Sequence, residues 1–226
     1  MSFEFDHAFI CCAPGAPEAE LLSGVGLTEG SRNTHAGQGT ENRRFFFENG
    51  FLELLWVSDA KQAQDPLTRR TRLWERWSQR GAGACPFGMA FRSTGSGTEE
   101  PPFPSWRYCP TYLPAGFSIW FAEGARLNEP ELVGLTRPAS ASRPPSQPTG
   151  HAIPLRGIVS VVVGLPAGTE VSTTLQTAAS AGLFSLRQDT THVLELEFET
   201  EREILHDFRP SLPLAIKGAL GAGGVR

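Results

Sequence analysis

The sequence predicts an α+β fold assembled from βαβββ modules, and three observations carry that prediction. Residues 3–12 alternate so that Phe3, Phe5, His7 and Phe9 share one face of a strand. Two strong strand segments, 43–48 and 51–57, flank Asn49-Gly50. That dipeptide favours a tight hairpin, because a type I′ turn needs positive φ at both central residues. A later segment, Val193-Leu194-Glu195-Leu196, echoes Phe51-Leu52-Glu53-Leu54 as a weak internal repeat.

The remaining elements follow in chain order. A Pro/Gly loop after the first strand leads into a short helix near Pro17, with Gly24 and Gly26 available to end it. Residues 31–42 are polar and read as a bending strand or loop. Residues 1–60 therefore form one strand–helix–three-strand unit, covered by a helix on one face only. The other face must be buried by another layer, most simply a second copy of the unit. Residues 61–84 form a connection, with a helix predicted over 65–80. Asp65 caps it, Pro66 takes its first turn and Gly81 follows its end. Its arginines, Arg69, Arg70, Arg72, Arg76 and Arg80, read as a solvated face.

Residues 85–217 are expected to make a second, divergent module with strands at 86–92, 116–122, 157–164 and 193–199 and a helix at 171–181. The Pro/Ser-rich stretch 137–150 reads as an exposed loop, and 218–226 as a flexible tail.

Composition narrows the functional classes. Hydrophobic residues make up 40% and charged residues 19% of the 226 residues, which suffices for a sizeable core. The 15 phenylalanines suggest aromatic-lined sheet faces. The net charge of −4 and the lack of a basic stripe argue against nucleic acid. The longest apolar run, near Ile158–Leu165, is too short to span a bilayer. The opening residues lack the pattern of a secretory signal, so a cytoplasmic location is expected. Cys11, Cys12, Cys85 and Cys109 form no Cys-x-x-Cys pair, and four free thiols are expected. No dinucleotide or phosphate loop, nucleophile elbow or His-Glu-x-x-His motif is present.

Two segments carry a family resemblance. Phe5-Asp6-His7-Ala8-Phe9 opens the first strand. His35-Ala36-Gly37-Gln38-Gly39-Thr40-Glu41-Asn42 is followed by Phe51-Leu52-Glu53-Leu54-Leu55-Trp56-Val57. In this order they resemble the glyoxalase-like branch of the vicinal oxygen chelate superfamily, which includes glyoxalases, extradiol dioxygenases, epimerases and bleomycin-resistance proteins. The resemblance implies paired βαβββ modules whose curved mixed sheets surround a central cleft. It is specific over residues 3–58 and looser over 85–216. In metal-using members the first strand supplies a His and the fourth a Glu, which match His7 and Glu53. The second module normally opens with another His, where Met89 stands here. A thioether is a poor ligand for the divalent metals involved. The second-module Glu is matched to either Glu123 or Glu195.

Glu53 lies among Leu52, Leu54, Leu55 and Trp56. A buried carboxylate without a partner costs several kcal/mol, so it must meet a metal, an imidazole, water, or Arg43 or Arg44 of the preceding strand. His7 and Glu53 are expected to converge within about 6 Å or to share a metal or water. His35, Thr40, Asn42, Trp56 and Trp120 are candidate substrate contacts, although turn formation explains the first three and core packing the last two. Two functions fit. One is a divergent lyase, isomerase or dioxygenase in which a divalent metal is held by His7 and Glu53, with Glu53 also moving a proton. The other is a metal-free protein that binds or sequesters a small molecule, as resistance proteins do. A small molecule is the expected partner in both, and self-association as a homodimer is left open.

Overall fold

The computed structural model describes residues 2–95, 99–110, 113, 117–136 and 146–220. Their first layer is an eight-stranded sheet that curls into a half-barrel. Its first half is β1 (Phe3–Cys11), helix α1 (Ala19–Gly24), β2 (Asn33–His35), β3 (Thr40–Phe46) and β4 (Phe51–Val57). β4 returns parallel to β1, and β3 and β2 extend the sheet antiparallel beyond it. The β3–β4 hairpin turns at Asn49-Gly50, and Asn49 also ties the turn to Ile158 through bonds of 2.8 Å to its N–H and carbonyl.

The second half repeats this order with β5 (Phe87–Ser93), β6 (Ser105–Tyr108), β7 (Ser118–Ala122) and β8 (Glu131–Thr136). β8 runs parallel to β5, and β7 and β6 follow antiparallel. The halves join where β1 pairs antiparallel with β5.

A five-stranded second sheet contains β9 (Ile158–Pro166), β10 (Ser185–Asp189), β11 (Val193–Thr200), β12 (Ile204–Asp207) and β13 (Leu214–Leu220), in the order β10-β9-β11-β13-β12. Its pairing, parallel, antiparallel, parallel, antiparallel, is that of β4-β1-β5-β8-β7 in the first sheet. The Leu-Glu-Leu echo is therefore compositional rather than topological. Glu195 lies on β11, which occupies the place of β5, whereas β10 occupies that of β4. Both echo segments share only the alternation of a strand with one apolar face.

One core lies between the layers. Phe47 packs on Phe198 and Phe91 on Phe184, with ring centroids 4.5 and 6.2 Å apart. α1 contributes Ala19 and Leu22, and helix α4 (Thr173–Ser180), capped by the Ser172 hydroxyl, contributes Leu175 and Ala178. Both sheets thus turn their helix-bearing faces inward. β13 continues to Leu220, so residues 218–220 are paired strand rather than tail. Gly218 is needed there, because a Cβ would lie 2.4 Å from Thr200 Cγ2. Residues 137–145 and 221–226, which include most of the predicted loop and tail, lie outside the described residues.

Three sequence expectations are corrected. First, the helix predicted over 65–80 is broken into a 3-10 turn at Arg69–Thr71 and a helix, numbered α3 after the short α2 (Ala60–Ala63), at Leu73–Ser78. The break is Arg72, at φ 56, whose guanidinium reaches the Ala125 carbonyl. Second, Arg76 is not solvated but is among the largest fully buried side chains. It donates to the carbonyls of Cys85 and Glu129, at 2.7 Å each, and to Glu131 at 3.2 Å. Third, Phe3 and Phe5 do not share a face with His7. The β1–β5 register shifts between Phe5 and His7, a bulge that inverts the alternation and sends both rings to the main core.

Arg76→Met is expected to cost about 3–5 kcal/mol in urea unfolding, because it strands the buried Glu131 carboxylate. Arg76→Met with Glu131→Gln should recover about 1–2 kcal/mol of that loss. With Glu131→Gln alone completing the cycle, strictly additive effects of the two substitutions would show that the ion pair does not couple the two residues.

Candidate functional site

The face of the half-barrel turned away from the second sheet is set by register. Thr40, Asn42 and Arg44 on β3 stand opposite Val57, Leu55 and Glu53 on β4. His7, Phe9 and Cys11 on β1 pair with Phe51, Glu53 and Leu55. On β5 and β8 the same face carries Gly88, Ala90, Glu131 and Val133.

The structure brings His7 and Glu53 together, with His7 Nε2 lying 3.7 Å from Glu53 Oε2. The other Glu53 oxygen accepts a short hydrogen bond from Asn42 Nδ2, and Asn42 Oδ1 accepts from the Asn33 N–H at 2.9 Å. On the other side, His7 Nδ1 meets Asp6 Oδ1 at 2.7 Å, and Asp6 Oδ2 accepts from Arg92 at 3.1 Å. The His7 ring stacks on Phe51, with centroids 4.3 Å apart. His35 pairs with Thr40 across β2 and β3, its Nδ1 lying 3.0 Å from Thr40 Oγ1.

Five predicted site residues, His7, His35, Thr40, Asn42 and Glu53, thus occupy one end of one face. Thr40 and Asn42 are fully buried and act by holding His35 and Glu53. The arginine partners proposed for Glu53 are engaged elsewhere. Arg43 points to the opposite face and pairs with Glu20 and Glu29. Arg44 donates to the Ser31 carbonyl and hydroxyl at 2.8 and 2.7 Å, and its guanidinium lies over the Phe46 ring.

Trp56 and Trp120 are not brought to this site. Trp56 stands opposite Glu41 and belongs to the main core, and Trp120 stands opposite Gly134, so strand alternation turns both away from Glu53. Met89 is likewise fully buried in the main core, paired with Ala8. The β5 residues that do face the site, Gly88 and Ala90, carry no donor side chain. Glu123 is exposed and pairs with Arg70, and Glu195 lies on the second sheet between Lys217 and Arg187.

The second-module carboxylate on this face is Glu131, which sequence reasoning missed. It lies level with Glu53 across the register Glu53–Phe9–Gly88–Glu131. Two features separate these carboxylates. A Cβ on Gly88 would lie 2.5 Å from two ring carbons of Phe9, so that ring covers the midline of the face. Glu131 is committed to Arg76, which α3 inserts from its own side. Beyond the midline lies an apolar cluster containing Phe9, Leu73, Tyr108 and Phe121, with Trp106 and Trp77 packed on it. Among the described residues, no group of three or more His, Cys, Asp or Glu side chains is placed to hold a metal ion.

The electrostatics follow from burial and partners. Burial opposes ionisation of Asp6, but His7 and Arg92 outweigh it and hold the carboxyl at about 2. Burial lowers the pKa of His35, against the pull of Glu53. Burial pushes the Cys11 thiol up to about 12, so it is no nucleophile at neutral pH.

Comparison with known proteins gives the family of the chain. A glyoxalase-like domain family matches residues 5–178. The chain belongs to that family. As a glyoxalase-like protein it also resembles a solved hypothetical protein from Staphylococcus aureus at 9% identity and a TM-score of 0.51, over 97% of this chain and 100% of the other. A hypothetical protein from Bacillus halodurans C-125 matches at 12% identity and a TM-score of 0.40, over 63% of this chain and all of its own. No curated protein sequence matches the chain. Among the described residues, no helix is long and apolar enough to cross a membrane.

Asp6 generates a pH prediction. Its folded pKa lies below the ordinary aspartate value of 3.8, so its contribution is present above about pH 4 and is lost as pH falls toward 2. The unfolding free energy of the wild type minus that of Asp6→Asn should shrink by about 2 kcal/mol between pH 5 and pH 2. A difference that stays constant over that range would contradict the assignment.

Proposed function

We propose that this glyoxalase-like protein binds a small oxygenated molecule at the His7–Glu53 end of the concave face, and that it does so without a metal ion. The single observation that supports the metal-free reading is the midline: the Phe9 ring lies over Gly88, between Glu53 and the Arg76-bound Glu131. A superfamily metal site draws ligands from both modules. Here the second module offers Gly88 and Ala90 from β5 and a carboxylate already neutralised by a guanidinium. His7 and Glu53 are two donors, fewer than the three or four protein ligands usual for a divalent transition metal. A metal-assisted lyase, isomerase or dioxygenase therefore does not suit this donor set.

What remains is a polar pair beside an apolar, aromatic surface, the composition expected of a small-molecule site. His7 retains partial exposure, at 16% of the side chain, whereas Glu53, Asn42 and Asp6 around it are buried. His7 and the Glu53 oxygen beside it can hydrogen-bond a ligand oxygen or take a proton from it, while Asp6 and Asn42 fix their orientation. The four unpaired cysteines support a reducing, cytoplasmic setting.

Thermal-shift screening with small hydroxy acids, hydroxyketones and phenols, with and without EDTA, tests the reading. A ligand present at about ten times its Kd should raise Tm by a few degrees. The shift should be unchanged by EDTA and weakened about tenfold in apparent Kd by Glu53→Gln, the loss of one charge-assisted hydrogen bond. Binding that EDTA abolishes and a divalent metal restores would overturn the proposal.

A further inference from the structure

We propose that Asp6, held in place by Arg92, is a positioning residue that keeps the His7 proton on Nδ1, so that the concave face offers a ligand two hydrogen-bond acceptors, His7 Nε2 and a Glu53 carboxylate oxygen. This inference rests on the reading of His7 and Glu53 as the ligand-binding pair.

Neighbours in a regular strand point to opposite faces, so Asp6 should face away from His7. The register shift between Phe5 and His7 breaks that rule and lets the two side chains meet at 2.7 Å. Asp6 is only 5% exposed, and its second oxygen accepts from Arg92 Nη1 at 3.1 Å. Arg92 is fixed in turn by Glu4 at 2.7 Å and by the Asn49 carbonyl at 3.2 Å.

Proton bookkeeping then decides the imidazole. An ionised carboxylate only accepts, so the His7 nitrogen that faces it must donate. In neutral His7 the lone pair is left on Nε2. The stack on Phe51, with ring planes 15° apart, fixes the direction of that nitrogen. Nε2 and Glu53 Oε2 are 3.7 Å apart, too far for a hydrogen bond between them. Glu53 cannot rotate to relieve this without giving up Asn42, whose other amide atom is bound to the Asn33 N–H. Two fixed acceptors side by side require a donor. The chemical class that satisfies them is a ligand carrying a hydroxyl or amine hydrogen, as in an α-hydroxy carbonyl compound, a diol or a phenol. A bare ketone or carboxylate presents only lone pairs to this pair and is disfavoured.

The test is the tautomer itself, read by long-range proton–nitrogen correlation on nitrogen-15-labelled protein without ligand and in EDTA. Spectra are recorded over a pH series, and the form of the His7 ring that carries one proton is the species read. Wild-type His7 is expected to show a protonated Nδ1 and a bare Nε2. Asp6→Asn makes a sharper demand. Arg92 has no acceptor and therefore keeps the one amide oxygen of the variant side chain. The amide NH2 then turns toward His7 Nδ1 and drives the proton to Nε2. Inversion of the His7 tautomer in Asp6→Asn supports the proposal. A merely structural Asp6 would change stability without moving the proton. A protonated Nε2 in the wild type, or an unchanged tautomer in folded Asp6→Asn, overturns it. The wild-type spectrum decides by itself if the variant does not fold. Because no ligand or metal enters the measurement, this result is separable from failure of the binding reading.

Discussion

The contact of the Phe9 ring with Gly88 is the constraint from which the rest of the concave face follows. It sits where the two halves of the eight-stranded sheet meet, on the line that joins Glu53 to Glu131. Only glycine fits under the ring, because any Cβ would also lie 2.7 Å from the Glu131 Cβ. With the midline filled, the second-module carboxylate is cut off from the first. A buried carboxylate left alone is costly, and Arg76 offsets that cost by leaving solvent entirely and bringing α3 onto the sheet. The arrangement leaves one chemically equipped end, built from β1, β2, β3 and β4.

The second sheet explains how that end is supported. Both sheets bury their helix-bearing faces in one core, so the strands that carry His7 and Glu53 are backed by a full second layer. Asn49, at the tip of the β3–β4 hairpin, bonds to β9, and His151 bridges the Thr28 N–H and the Phe46 carbonyl at 3.0 Å each. Such a bridge needs a neutral ring with one donor and one acceptor, and burial lowers the His151 pKa accordingly. The first module is thus pinned from behind.

Much of the first module is legible in the sequence because its signals are local. Alternation, Asn49-Gly50 and the Leu-Glu-Leu strand each act over a few residues, and they place His7 and Glu53 on strands that pair. What escapes depends on long-range geometry. The bulge before His7 leaves no mark in the hydrophobic pattern, so alternation alone puts Phe3 and Phe5 on the wrong face and gives Asp6 no role. Arg76 resembles its exposed neighbours Arg69 and Arg70 because its partners, Glu129 and Glu131, lie more than fifty residues away. Glu131 is hidden for a related reason. Its strand is short, and which of several glutamates faces Phe9 is decided by the register of β5 with β8. Met89 matches a ligand position in sequence, but strand alternation turns it into the core, and a one-residue change of register exchanges the two faces.

Calorimetric titration of Zn²⁺, Ni²⁺ and Mn²⁺ into the metal-stripped protein tests the central claim most directly, with Glu53→Gln as the comparison. A half-site with two donors and a filled midline predicts no stoichiometric binding at micromolar affinity that depends on Glu53. One equivalent of metal bound tightly by the wild type and lost in Glu53→Gln would contradict the account. It would mean that Phe9 and Arg76 yield their places to an ion.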